Sequence, residues 1–415
     1  MKDKLIEKLI EKETRRQNET LDLIPSENFV SKDVLAALGS PLTNKYAEGY
    51  PGARYYGGNE VIDKIETIAK MRALKLFGLS EEHWHVNVQA YSGSPANLAV
   101  LLALVPTGEK IMGLQLTMGG HLTHGHKVSA TGKIWQSVQY DVNKESERLD
   151  YDAILSLAKK EKPRLIVAGY TAYPRIIDWK KFREITDAVQ SYLMVDMSHI
   201  AGLVAGGAYP TPFDYADIVT TTTHKTLRGP RSAMVFANRK SRIANHFGTE
   251  LPKAIDKAIF PGLQGGPHEN QIAAIAIALK EADSPTFKKY AAQVITNAEV
   301  LAEELLGHGF RLVSGGTDSH LLLIDTAHRG IGGKEASSHL EKNGVIANMN
   351  TIPFDPRPPM DPSGVRLGTP ALTTRGMKER EMKLVGTLIA DVLLRNHNVL
   401  KEVQKLCRRF PLRYI

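Results

Sequence analysis

From about residue 61 the chain alternates between short apolar runs and longer amphipathic ones, and this rhythm constrains the fold more than any other feature. The runs EKIMGL, RLIVAGY, SYLMVDM, DIVTTTT and SAMVFAN each carry five or six adjacent residues suited to the middle of a sheet. A strand buried on both faces reads as such a continuous run, whereas a half-exposed strand alternates. Between them lie SPANLAVLLALV, DYDAILSLAKK and DWKKFREITDAVQ, which repeat their apolar residues at helical spacing. The alternation predicts an α/β fold, a mostly parallel sheet with helices on its faces.

Ahead of this pattern, residues 1–18 read as an amphipathic helix with Leu5, Ile6, Leu9 and Ile10 on one face. LIPSENFVSKDVLAAL follows, then the Gly- and Tyr-rich NKYAEGYPGARYYGGNE, which reads as an ordered loop. At the other end ADSPTFKKY, residues 282–290, breaks one long helix and opens another. Beyond it come a helix over about 287–308, strands FRLVSGG and HLLLIDT, the helix KEASSHLEKNG, a Pro-rich loop and a last long helix. The expected division is an arm over 1–48, a large domain over 49–285 and a smaller α/β domain over 286–415.

Cys407 is the single cysteine, so a disulfide framework is excluded and a reducing compartment, the cytoplasm, is expected. The opening MKDKLIEKLIEKETRRQ is charged throughout and lacks the apolar centre of a signal peptide. LAVLLALV and IAAIAIAL are the longest apolar runs, well below the roughly 20 residues of a membrane helix. The net charge of +8 is spread among acidic residues, with no basic stripe interleaved with aromatics, so nucleic acid is not an expected partner.

Ligands of open α/β sheets sit beyond the carboxyl ends of the strands. SYLMVDMSHIAG ends a strand on Asp196 with His199 just after it, and DIVTTTTHK ends another at His224 and Lys225. An acid and a lysine on strand ends suit pyridoxal phosphate, held by the lysine as a Schiff base with the aspartate on its ring nitrogen. A structural ion pair is the plainer use of the same two residues. YSGSPANLAVLLAL sets Ser92, Gly93 and Ser94 before a helix, where amides and the positive helix end suit a phosphate, although the same residues also make a simple cap. FPGLQGGP adds a second Gly-rich loop. His121, His124 and His126 in GGHLTHGH have no Cys or carboxylate nearby to complete a zinc set, so no metal is expected, and one imidazole is better used over a flat ring. Arg366 in GVRLGTPALT could grip a carboxylate bidentately or lie on the surface.

Together LIPSENF, LTNKYAEGYPGARYYGG, YSGSPAN, GGHLTHG, VDMSHIAGLVA, VTTTTHKTLRGPR, FPGLQGGP, SGGTDSHL and GVRLGTPALT resemble the serine hydroxymethyltransferase family, in order and over nearly the whole chain. The resemblance implies a fold-type I pyridoxal-phosphate transferase, with a mostly parallel seven-stranded sheet in the large domain and a smaller C-terminal domain. It implies transfer of the serine hydroxymethyl carbon to tetrahydrofolate, and a homodimer with shared active sites.

By the same resemblance Lys225 would carry the cofactor, Asp196 would pair with its ring nitrogen and His121 would stack on the ring. Ser92, Gly93, Ser94, Thr171, His199, His224 and Arg231 would lie around it, with Thr223 the threonine that touches it. Tyr46, Gly265 and Gly266 would reach its phosphate from the partner subunit. Ser26 and Arg366 would bind the amino-acid carboxylate, and Glu48, the proton-handling carboxylate, would cross the dimer with Tyr56. Folate would lie along Leu116, Gly120, His121 and Leu122, with Asn350 and the loop Pro358, Pro359 and Met360. Thr171, Ser198, Ala90 and Met349 depart from the family's commonest residues without removing a catalytic group. A folate-independent aldolase of the same fold uses the same lysine motif, and an RNA-binding protein on an inactive scaffold would not need the full set.

Overall fold

The computed structural model describes residues 1–241 and 249–412. The chain divides into two compact units, one of residues 30–171 and 176–291, the other of residues 1–29, 172–175 and 292–415.

The first unit is built on a seven-stranded sheet. Its order is Trp84–Asn87, Ala233–Asn238, Ile218–Thr222, Tyr192–Asp196, Leu165–Ala168, Lys110–Leu114 and Gln136–Tyr140. The sheet is mixed: Ala233–Asn238 runs antiparallel to both neighbours, and the remaining pairs are parallel. All five runs read as strands from the sequence are strands here, and three of them are buried at every position. Helices Gly93–Leu104, Tyr151–Glu161 and Trp179–Val189 fall where the amphipathic runs are. One apolar core gathers Leu101 and Leu104 of the first helix against Ile111, Leu165, Ile218 and Val235 of the sheet. Each such side chain contributes roughly 1.5–3 kcal/mol on burial.

In the second unit the strands Arg311–Leu312, Leu321–Asp325, Gly364–Gly368 and Asn348–Asn350 form an antiparallel sheet in that order. Leu21–Asp22 pairs in parallel with Val345–Ile346, which ties the N-terminal segment to this unit. Arg375 reinforces the tie by donating to the carbonyls of Asn18 and Thr20 at 2.8 Å and to that of Phe410 at 2.8 Å. The N-terminal helix spans Lys4–Glu19, and its Leu5, Ile6, Leu9 and Ile10 are all exposed. Helices Glu269–Ala282 and Pro285–Gly307 meet at Asp283–Ser284, the interruption expected from ADSPTFKKY. Among the described residues no helix is long and apolar enough to cross a membrane.

Candidate active site

At the carboxyl edge of the seven-stranded sheet a cavity is lined by Ser92, Gly93, Ser94, Asn97, His121, His124, Tyr170, Thr171, Asp196, Ser198, His199, Thr222, His224, Lys225 and Arg231. Each lining residue ends or follows a strand, or lies in the first turns of the helix after Trp84–Asn87. Parallel strands therefore deliver residues far apart in sequence to one place.

Asp196 is the best-anchored group. Its Oδ2 accepts from Asn97 Nδ2 at 2.8 Å and from His124 Nε2 at 3.1 Å, and its Oδ1 accepts from the Ser198 N–H at 3.1 Å. Burial opposes its ionisation, but the hydrogen bond and charge of His124, aided by His121 and Ser198, outweigh it. The carboxyl is held well below the usual carboxylate range. Asn97 is itself fixed, accepting from Thr220 Oγ1 at 2.7 Å and donating to Thr123 Oγ1 at 2.9 Å. Thr123 in turn lies 2.7 Å from His121 Nδ1, so the His121 ring is oriented by the same network.

Asp196 pairs in register with Thr220 on the neighbouring strand, five residues before Lys225. Lys225 Nζ donates to Thr222 Oγ1 at 3.1 Å, and the Thr222 N–H donates to Ser198 Oγ at 3.0 Å. The threonine run is thus divided between two tasks. Thr220 and Thr222 serve the Asp196 and Lys225 sides of the cavity. Thr223, the threonine expected at the cofactor, donates to the Pro230 carbonyl. Burial first, then the charges of Lys225 and Arg231, push His224 down to about 3, so it is neutral at physiological pH.

Helix Gly93–Leu104 opens at Ser92 without a side-chain cap hydrogen bond. Gly93 packs so tightly on Thr222 that an added Cβ would lie 2.7 Å from Thr222 Cγ2. The first turn of a helix presents N–H groups without intrahelical partners and a positive dipole end, which suits a phosphate. A ring-nitrogen acceptor, an amine and an anion cradle around one cavity fit pyridoxal phosphate.

The chain matches the family model described as serine hydroxymethyltransferase over residues 1–389. The chain belongs to the serine hydroxymethyltransferase family. It is 52% identical to the serine hydroxymethyltransferase of Acidothermus cellulolyticus over 99% of this chain and 95% of that protein. It is 53% identical to that of Desulfotalea psychrophila over 97% and 93% of the two chains. The similar protein from Rippkaea orientalis is 52% identical, over 99% and 95%. Membership makes the chain a pyridoxal-phosphate-dependent transferase with tetrahydrofolate as co-substrate, converting serine to glycine and 5,10-methylenetetrahydrofolate reversibly.

Other residues expected at a serine hydroxymethyltransferase site fall into separate places. Tyr46, Glu48, Tyr56, Gly265 and Gly266 form a group of their own and do not line the Lys225 cavity. The Tyr46 hydroxyl donates to Glu48 Oε1 at 3.2 Å, its ring meets Tyr56 edge-on at 5.0 Å, and it lies over Gly266. Tyr46 is 54% exposed and Tyr56 48%. Leu116 and Gly120 frame the turn before His121, and Leu122 is exposed. In the second unit Arg366 is buried on strand Gly364–Gly368, its Nε donating to Asn348 Oδ1 at 3.2 Å. Burial pushes it down to about 10, still cationic at neutral pH. Ser26 is half-buried, Asn350 donates to the Thr351 carbonyl at 2.6 Å, and Pro358, Pro359 and Met360 are exposed.

Asn97 is not among the residues expected from sequence, and His124 is weighed there only with His121 and His126, for a metal or a stacking ring. Asn97 is a lone polar residue in the apolar run SPANLAVLLALV, which does not show what it binds, and His124 has polar neighbours that give no such signal. Among the described residues no cluster of three His, Cys, Asp or Glu is placed to hold a metal ion.

Proposed function

We propose that Lys225 carries the pyridoxal phosphate, that Asp196 faces its ring nitrogen, and that a second copy of the chain completes each site. The three donors converging on Asp196, one strand away from Lys225, carry this reading. Bound there, the cofactor supplies an electron sink for the pair freed at the amino acid's Cα.

The chain's own residues do the rest. Asp196, kept anionic, holds a proton on a nitrogen facing it. Thr222 orients the Lys225 amine, and neutral His224 adds no competing charge beside it. His121, fixed through Thr123, offers a flat face to the ring. Ser92, Gly93 and Ser94 receive the phosphate, while Thr171, His199 and Arg231 close the wall. Arg366, with Ser26, takes the substrate carboxylate in a charge-assisted fork.

Glu48 and Tyr56 handle protons where folate meets the hydroxymethyl carbon, and Tyr46, Gly265 and Gly266 reach the phosphate of the partner's site. Their grouping on an exposed patch outside the Lys225 cavity supports a role toward a second copy. The assembly is a homodimer of the cytoplasm, where Cys407 stays reduced. Folate lies along Leu116, Gly120 and Leu122, with Asn350 and Pro358 to Met360. We assign residues 1–48 to an arm, 49–285 to the cofactor-binding domain and 286–415 to the smaller one, a division that the helix break at Asp283–Ser284 supports.

Mixing inactive Glu48→Gln and Lys225→Ala subunits tests the sharing. Verified mixed dimers should regain activity, because one of their two sites then holds both intact residues. An absence of rescue would place Glu48 and Lys225 in the same chain's site.

A further inference from the structure

The hairpin that carries Glu48 is gripped by one guanidinium. Gly49–Tyr50 and Ala53–Arg54 pair antiparallel, with Gly49 opposite Arg54. Arg54 folds its side chain back beneath this turn and is only 4% exposed there. Its Nη1 donates to the Ala47 and Gly49 carbonyls, both at 2.8 Å, the first in the peptide just before Glu48 and the second in the peptide just after Gly49. The Glu48 carbonyl accepts from the Tyr55 N–H at 3.0 Å, and Gln89 Nε2 donates to Gly49 at 3.0 Å. Gly49 has φ +98°, and a Cβ there would lie 2.2 Å from the Ala53 carbonyl oxygen, so the turn this close requires glycine.

The guanidinium is held from its other side by two carboxylates. Nε donates to Asp63 Oδ1 at 2.9 Å and Nη2 to Glu66 Oε2 at 2.7 Å, with Glu66 fully buried. A planar fork can serve two carboxylates and two carbonyls together, which a lysine ammonium cannot do in the same geometry. With Arg54 holding the peptides before Glu48 and after Gly49, and the Tyr55 N–H holding the one between them, the direction of the Glu48 Cα–Cβ bond is fixed. Arg54 makes no hydrogen bond to the Glu48 carboxylate, yet it dictates where that carboxylate points.

We propose that Arg54 is a positioning residue for the hydroxymethyl transfer, clamping the main chain on both sides of Glu48. This rests on the reading of Glu48 as the proton-handling carboxylate. A misplacement of about 1 Å in a catalytic group costs roughly 100-fold. Arg54→Lys should therefore lower folate-dependent serine turnover by roughly 10- to 100-fold, with the KM for serine and the absorption of the bound cofactor unchanged. In the holoenzyme, amide hydrogen exchange across residues 46–56 should rise. Placed on Glu48→Gln, Arg54→Lys should cost less than a further twofold, since its effect runs through Glu48.

If the lysine variant folds poorly, adding Glu66→Gln removes the buried charge that has lost its guanidinium and keeps only Gln89 as donor, and the same measurements apply. Unchanged exchange and turnover in Arg54→Lys would overturn the proposal. So would an equal loss in the wild-type and Glu48→Gln backgrounds, which would place the effect elsewhere. Wild-type turnover in Glu48→Gln alone would instead remove the Glu48 reading, and with it the catalytic purpose of the clamp, whatever the exchange data show.

Discussion

Glu269 opens helix Glu269–Ala282 and is 1% exposed, and neither of its carboxylate oxygens has a hydrogen-bond partner. Burial, and then the charge of Glu66, push it up to about 8, with Arg54 and Lys45 opposing and Asp63 adding to the rise. Its carboxyl therefore stays protonated in the folded protein up to about pH 8, while the unfolded chain ionises near the ordinary value of 4.5. Between those limits folding must take up a proton, so stability is lost as pH rises, and the loss is complete above pH 8. Each pH unit in this window corresponds to about 1.36 kcal/mol. Glu269→Gln keeps the shape and removes the titration. Its advantage over wild type should grow by roughly 2 kcal/mol between pH 6 and pH 8 and level off above that. With an unfolding entropy of about 2.1 cal/mol/K per residue, that growth is roughly 2 °C in Tm for a chain of this length. The assay is thermal unfolding of both holoenzymes at one protein and cofactor concentration, at half-unit steps from pH 5.5 to 9. Parallel curves from pH 6 to 8 would show that Glu269 does not titrate in this window, and the account of its surroundings would be wrong.

The remaining predictions concern the cavity and the carboxylate grip. Asp196→Asn leaves the His124 and Asn97 bonds one charge short, so the variant should bind cofactor more weakly and lose at least 100-fold in serine turnover. Near-wild-type turnover, measured by glycine formation, would remove the electrostatic role given to Asp196. Arg366→Ala should weaken serine binding by roughly 1.5–3 kcal/mol, the scale of a hydrogen bond to a charged group. An unchanged serine dissociation constant by titration of the cofactor spectrum would take Arg366 out of the site.

The sheet is legible in the sequence where strands are buried on both faces. LIVA and the YLMV that leads into Asp196 declare themselves as continuous apolar runs. Trp84–Asn87 and Gln136–Tyr140 escape such a reading, because both lie at the edges of the sheet and mix polar with apolar residues. Gly364–Gly368 is hidden by its two glycines and by Arg366. In the site, Asp196 and Lys225 stand out as charged residues at the ends of apolar strands. Asn97 does not, since its value lies in bonds to Asp196 and Thr220, 99 and 123 residues away. Thr222 and Thr223 are indistinguishable in a run of four. Only the strand's register decides which hydroxyl faces Lys225 and which is spent on Pro230. The Arg54 clamp is likewise invisible in sequence, because its two carbonyl partners are reached only once the hairpin has formed and its two carboxylate partners only once the helix Glu60–Leu76 has.

The claim on which all of this rests is that one amine, that of Lys225, holds the cofactor. The direct measurement is borohydride reduction of the purified holoenzyme followed by peptide mapping. The yellow absorption should disappear, and the cofactor's mass should be found on the peptide containing Lys225 and nowhere else. A label on any other lysine, or a protein that never takes up the cofactor, would contradict the account.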